Sequence, residues 1–398
     1  MKKRDMTTQK ILHRDFVIAF VAQFTFSSAY YILIPTLPIF LSRSGSAEAE
    51  IGVLIGVFSV SSLILRPFVG RALLRISERN FMIAGCILFL FTSIAYLFAP
   101  PFWPFLTVRI FQGIGLAFFY TASFTLIANI SPEAHRGQSL SYFYLALNIA
   151  FALAPYFGML LLNRFNFTVT FLACSVLSLC SLLAVAKLKK IESVMPDSQS
   201  TGNQPLLSRE ALPPSIMAFL GNTVWGTLTA FFPLYALQCG VANPGLFFAA
   251  FALMLILSRS LGGKILDLYS RERVILPCLI AYSSSMIILA FSKTLLMFVL
   301  VGGIWGAGMA FLFPALVAYA LDVAGPSRGP AMGTFTAASD LGVGLGAVIM
   351  GIILRFTSYP TMFLCLALTG IINLNYFYFF VRKKKGMGGP IQAFHSAG

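Results

Sequence analysis

Charged side chains are scarce in this 398-residue chain. Asp, Glu, Lys and Arg make up 10% of it, against 58% hydrophobic residues and a mean hydropathy of +0.85. A water-soluble domain is about a quarter charged, and a chain this long needs that polar surface to cover its core. The shortage excludes a soluble globular protein and leaves the apolar excess facing lipid. Metal-ligating residues are few as well. His13, His135 and His395 stand near the termini or in a loop, none with a second ligand at metal spacing. The six cysteines contain no CxxC pair and five lie inside apolar runs, which argues against a zinc site or a disulfide framework. There is also no P-loop lysine, no nucleophile elbow and no pair of intramembrane carboxylates, so an enzyme is not expected. No cofactor and no metal are expected, and without an ATP-binding domain any energy must come from an ion or substrate gradient.

What is present is long apolar runs. About 20 apolar residues cross a bilayer as a helix. Twelve such spans are predicted, near 16–42, 50–70, 81–99, 105–130, 138–162, 167–186, 215–238, 244–262, 274–292, 294–320, 331–354 and 360–381. The first is too long for a cleavable signal peptide and contains Pro35 and Pro38. With both termini cytoplasmic, 21 of the 28 Lys and Arg residues fall on the cytoplasmic side; only Arg43, Arg164, Lys293 and Arg355 fall outside. This asymmetry fits the positive-inside rule. It assigns the net charge of +15 to lipid headgroups and cytoplasm rather than to nucleic acid. The polar stretch Lys187–Pro213 reads as a flexible linker. The predicted organisation is an N-terminal six-helix bundle over 1–190, a cytoplasmic linker over 191–213 and a C-terminal six-helix bundle over 214–398.

The two halves repeat. Arg66 and Gly70 at the end of span two recur as Arg259 and Gly263 at the end of span eight, offset by 193. Gln112-Gly113-Ile-Gly115 in span four recurs as Trp305-Gly306-Ala-Gly308 in span ten at the same offset. Arg136-Gly137 recurs as Arg328-Gly329 at 192. A duplicated six-helix unit marks transporters whose halves rock about a central site. On these landmarks, together with Arg109-Ile-Phe-Gln112-Gly113-Ile-Gly115 and Gly263-Lys-Ile-Leu-Asp267, the chain resembles the major facilitator superfamily. Tyr31–Pro38 in span one and Ala331–Gly346 in span eleven resemble its twelve-helix drug:proton antiporter branch. The resemblance implies an all-α membrane protein with twelve transmembrane helices in two pseudo-symmetric six-helix bundles. It also implies gating by Arg66, Gly70, Arg75, Arg259, Gly263 and Asp267 at the loops after spans two and eight. Leu74 stands where the first loop's acid belongs, and span five keeps its glycine signature only in part, as Ala150, Ala154-Pro155 and Gly158-Met159.

Thirteen acids exist and Asp340 alone lies deep inside a span. A charged side chain there costs at least ~2.5–3.5 kcal/mol and is tolerated only against a partner, the bundle interior or water, the settings in which proton relays are built. Asp340 is therefore the expected proton-coupling residue, with Asn148 at the equivalent place in span five. Its bland alternative is a structural polar contact. Arg109 is the second candidate; the resemblance implies that this arginine faces the cavity and influences proton or anionic-substrate binding. Its alternative is snorkelling to the interface. Arg66 and Arg259, at the span ends, are expected to pair with loops. The substrate cavity is expected among Gln23, Tyr30, Tyr31, Gln112, Tyr120, Asn148, Asn222, Trp225 and Trp305, since an amphipathic solute needs aromatic walls and a few hydrogen-bonding groups.

The functional expectation is a proton-coupled exporter of a small amphipathic or metal-chelating organic molecule, working by alternating access. It would be a monomer in contact with membrane lipid, in a bacterial inner membrane. The alternatives are a nutrient-importing symporter or facilitator of the same fold, and a non-transporting membrane scaffold or sensor.

Overall fold

The computed structural model describes residues 13–73, 75–100, 102–131, 136–189, 208–268, 271–324 and 328–382. Among these residues the chain forms twelve α-helices. They are α1 Arg14–Arg43, α2 Glu48–Ala72, α3 Glu78–Ala95, α4 Trp103–Ile130, α5 Arg136–Arg164, α6 Phe167–Ala186, α7 Leu212–Gln238, α8 Gly245–Leu268, α9 Arg271–Phe291, α10 Leu295–Val323, α11 Arg328–Phe356 and α12 Tyr359–Tyr376. Helices are what lipid permits, because every backbone N–H and C=O is satisfied within the segment. Eleven of them are long and apolar enough to cross a membrane. The described side chains of α8 supply a shorter apolar run, Gly245–Ser258. Twelve crossings put the start of α1 and the end of α12 on one face, here the termini face; the opposite face carries the turns after α1, α3, α5, α7, α9 and α11.

The helix boundaries follow local chemistry. Gly45 and Gly240, both at positive φ, stop α1 and α7. Behind them the N–H groups of Ser46 and Val241 reach back to the carbonyls of Leu41 and Ala236, the same left-handed stop in each half. Asn166 caps α6 by accepting from the Val169 N–H at 2.9 Å. Predicted span three runs to residue 99, but α3 ends at Ala95. Pro100 and Pro101 follow, and the residue before a proline is pushed out of helical geometry. Predicted span twelve ends as a π-helical turn, Phe377–Val381. Of the expected linker, 190–207 lies outside the described residues. Ser208 is docked rather than free, its N–H donating to the Thr334 hydroxyl on α11 at 2.9 Å.

The repeat seen in sequence is realised in packing. Gly113 on α4 abuts the Phe58 carbonyl on α2, and Gly306 on α10 abuts the Phe251 carbonyl on α8. Gly115 abuts Gly85 on α3, and Gly308 abuts Cys278 on α9. Each partner pair keeps the offset of 193. The halves meet chiefly along α2 with α11 and α5 with α8. Near the opposite face that seam is tight. Gly52 lies against Ala347, Gly351 against Glu48 and Gly245 against Pro155. There Asn163 also donates across the seam to the Ala242 carbonyl at 2.8 Å. On α11, alternate glycines serve two neighbours: Gly342 and Gly346 face α7 at Phe219 and Thr223, while Gly344 faces α2 at Gly56 and Val60.

Candidate functional site

Where the halves meet, a small cavity of about 30 Å³ lies between α1, α2, α4, α7 and α11. Its chemically distinctive walls are Tyr30, Phe58, Ser59, Arg109, Trp225 and Thr229, and Val343 contributes from α11. Three of the residues expected to meet substrate or proton therefore converge here: Tyr30, Arg109 and Trp225.

Arg109 is only 3% exposed, so the snorkelling alternative does not hold. It turns inward across α2. Nε donates to the Leu54 carbonyl at 2.8 Å, Nη1 to Gln112 Oε1 at 2.7 Å, and Nη2 to the Ile55 carbonyl at 3.5 Å. Its guanidinium also lies 4.4 Å from the centroid of the Phe58 ring, a cation–π contact. The repeat explains how there is room for it. In the second half Gly302 stands in its place and rests directly on Phe247, the counterpart of Leu54. Among the described residues, every acceptor that Arg109 meets is neutral. Gln112 is occupied in holding it, because Oε1 also accepts from the Tyr96 hydroxyl.

Asp340 meets Arg66, with Nη1 to Oδ2 at 2.6 Å. Oδ2 has no aligned hydrogen-bond donor, so the contact is one of charge rather than of directed bonding. The two side chains are 33% and 23% exposed. Arg66 was expected to pair with a loop; it instead ties α2 to α11 across the seam. The reason is reach: an α2 side chain leans back towards the start of its own helix, hence towards the bundle centre. Asp340 is one helical turn from Val343 in the cavity wall. Tyr30 sits within the fields of Arg109, Asp340 and Arg66 together.

The second-half wall is aromatic. Trp225 stacks on Trp305 at 5.7 Å between ring centroids, meets Phe251 at 5.6 Å, and takes the edge of Phe151 from α5 at 5.3 Å. Trp305 is wholly buried behind this wall rather than on the cavity surface. The first-half wall stacks Tyr30 on Phe58 at 5.2 Å.

The remaining expectations are placed elsewhere. Gln23 lies inside the first half, donating to the Ser27 hydroxyl at 2.9 Å and accepting from Ser123 at 2.8 Å. The Tyr120 hydroxyl joins the same network through Ser27 at 3.0 Å. Tyr31 packs between Tyr30 and Phe151. Asn222 bonds back to the Ala218 carbonyl of its own helix at 2.9 Å. Asn148 is buried on α5 with an unpartnered amide nitrogen, away from the Arg66–Asp340 pair on α2 and α11. Gly70 and Arg75 are exposed, at and just beyond the end of α2. Arg79, in the first turn of α3, caps α6 through the Ala186 carbonyl at 2.8 Å. The side chains of Arg259, Gly263 and Asp267 lie outside the described residues. Phe58, Ser59 and Thr229 were not singled out from sequence; Phe58 alone had a signal, as the repeat partner of Phe251 beside the Gly113 and Gly306 pair.

Known proteins are similar to this chain over most of its length. The staphylopine export protein of Staphylococcus aureus is 24% identical over 373 residues, covering 90% of this chain and 94% of its own. Multidrug resistance protein 2 of Bacillus subtilis is 23% identical over 381 residues, covering 91% and 93%. The crystal structure of the nucleoside transporter NupG superposes with a TM-score of 0.75 at 14% identity over 92% of this chain and 98% of that one, a likeness of fold. A family model describing the Major Facilitator Superfamily matches residues 19–247 and again 215–393. The match runs along nearly the whole sequence, and the chain belongs to the Major Facilitator Superfamily as an integral membrane protein of the transporter class.

Proposed function

We propose that the protein exports a small amphipathic or metal-chelating organic molecule in exchange for protons, by alternating access, with both termini cytoplasmic in a bacterial inner membrane. The observation that carries this reading is the Arg66–Asp340 pair. It is a charge contact between the two halves, beside the cavity, made by the one acid deep in a span. A proton on Asp340 removes one charge from that contact. Exposed ion pairs contribute about 1 kcal/mol or less and buried ones lose ~3–5 kcal/mol when one partner is removed. A half-buried pair therefore changes the balance by about 2 kcal/mol, roughly thirtyfold in the equilibrium between the two orientations of the halves. Export agrees with the names of the relatives that match over most of both chains, the staphylopine exporter and the multidrug resistance protein.

With the termini cytoplasmic, the tight seam at the opposite face is a closed outer gate, and Arg66 and Asp340 are reached from the cytoplasm. Tyr30, Trp225 and Thr229 then form the substrate-binding walls, Arg109 and Asp340 the charged groups of the cycle.

The test is flux in proteoliposomes under an imposed pH gradient, read with a panel of amphipathic aromatic solutes. Asp340→Asn is expected to cut gradient-driven transport at least tenfold while leaving gradient-independent equilibration. Full gradient-driven transport in that variant overturns the assignment. Loss of accumulation on adding an uncoupler to wild-type cells would instead favour import.

A further inference from the structure

Buried serines in these helices commonly bond back to the carbonyl four residues earlier, as Ser93, Ser178, Ser283 and Ser339 do. Ser62 on α2 does not. It is 1% exposed, yet its Oγ has no hydrogen-bond partner among the described residues. The carbonyl four residues back, at Phe58, already accepts from Ser61 Oγ at 3.0 Å and lies against Gly113 of α4. A buried hydroxyl left unpaired is unfavourable and calls for a partner that this arrangement does not show. Position says which. Residues three and four apart share a helix face, so Ile55, Ser59, Ser62 and Arg66 form one stripe along α2. Ile55 and Ser59 line the cavity, and Arg66 holds Asp340 at 2.6 Å. Ser62 therefore stands between the cavity wall and the ion pair. Arg66 leans towards it, because a helical side chain covers the turn before its own Cα, here the turn of Ser62.

We propose that Ser62 is a positioning residue for the coupling step: its hydroxyl accepts the Arg66 guanidinium when Asp340 takes up a proton. The inference rests on reading Asp340 as the coupling acid. In the ionised pair, Arg66 Nη1 faces a carboxylate. With the proton on, that group is a neutral carboxylic acid, and Arg66 keeps its charge but loses its anion. Ser62 supplies an acceptor one turn away on the same helix. Arg66 is then held by α2 alone, and the charge contact across the seam is gone. The surroundings offer no substitute anion. Arg66 faces Asp340 from α2, and Tyr30 on α1 lies in the fields of both. Of the other helices packed on α11, α7 and α12 carry no Asp, Glu, Lys, Arg or His, and Asp322 lies in the last turn of α10 at the termini face. Arg328 and Arg355 stand at the two ends of α11. Ser62 thus favours the protonated form and raises the pH at which the halves change orientation, so its removal lowers that pH.

The test needs no substrate. In the full chain with its native cysteines replaced by serine, Ser42→Cys and Gln238→Cys place spin labels on exposed positions at the ends of α1 and α7. Double electron–electron resonance in nanodiscs then follows the separation of the halves at the opposite face across a pH series. This background is expected to switch distance at a defined midpoint pH, and Asp340→Asn to lose the switch. Ser62→Ala is expected to lower the midpoint by about one pH unit, a tenfold loss of proton affinity. Ser62→Thr, which keeps the hydroxyl, brings it back. An unmoved or raised midpoint in Ser62→Ala, with the Asp340-dependent switch intact, overturns the role of Ser62 and leaves the exporter standing; water then satisfies Arg66. A lower melting temperature with an unmoved midpoint would likewise reduce Ser62 to packing. No switch in the background protein, or one that survives Asp340→Asn, removes the coupling acid and this inference with it.

Discussion

Gln112 shows how one side chain can be read two ways. From sequence it is a cavity residue; in the structure it is the brace that fixes Arg109. Its Oε1 takes hydrogen bonds from both Arg109 and the Tyr96 hydroxyl, joining α3 to α4 beneath the guanidinium. Gln112→Leu leaves two buried donors without an acceptor, and each such loss costs about 1–3 kcal/mol. The variant is expected to unfold at a lower temperature in a thermal melt of the purified protein, and an unchanged melting temperature would show that Arg109 is held by the α2 carbonyls alone. Asp340 was legible because a lone acid in an apolar run stands out in any hydropathy reading. Arg66 as its partner was not, since the two lie 274 residues apart and nothing in either helix's pattern names the other. The tryptophans were ambiguous for a similar reason: Trp225 and Trp305 sit in equally apolar surroundings, and only packing decides which faces the cavity and which stands behind it.

At the scale of the helix, glycine separates contact from mere composition. A Cβ on Gly226 would collide with the Val343 carbonyl of α11, whereas Gly303 and Gly333 have nothing within 4 Å of that position. Gly226→Ala is expected to push α7 off α11 and sharply lower the yield of folded protein. Gly303→Ala and Gly333→Ala are expected to be neutral or to stabilise by up to about 1 kcal/mol, through helix propensity alone. Folded yield and melting temperature of the three purified variants check this. The number, order and approximate ends of the helices were readable from apolar run length. The ends missed were those set by other chemistry: Pro100 and Pro101 cut α3 short although the apolar run continues, and α12 closes in a π-turn over residues as apolar as those before it. The duplicated Gly113 and Gly306 landmarks were visible as letters. That each rests on the equivalent carbonyl of a neighbouring helix is a matter of tertiary packing.

For the whole molecule, the seam at the opposite face has to part if the cavity is to be reached from that side. Asn163 and Ala242 span it in one hydrogen bond. In a background with the six native cysteines replaced by serine, a cysteine pair at 163 and 242 is expected to cross-link and to arrest transport until a reductant is added. Undiminished transport by the cross-linked protein would show that the halves do not separate there. The proton taken up at the Arg66–Asp340 pair bears on energetics as well as on gating. A carrier that exchanges one inward proton for one outward neutral molecule moves one elementary charge across the membrane per cycle. That charge is worth about 2.3 kcal/mol per 100 mV. A resting potential of that size, negative inside, would therefore contribute about 2.3 kcal/mol to export before any difference in pH. Such an exporter is electrogenic, and a potassium diffusion potential alone should drive it.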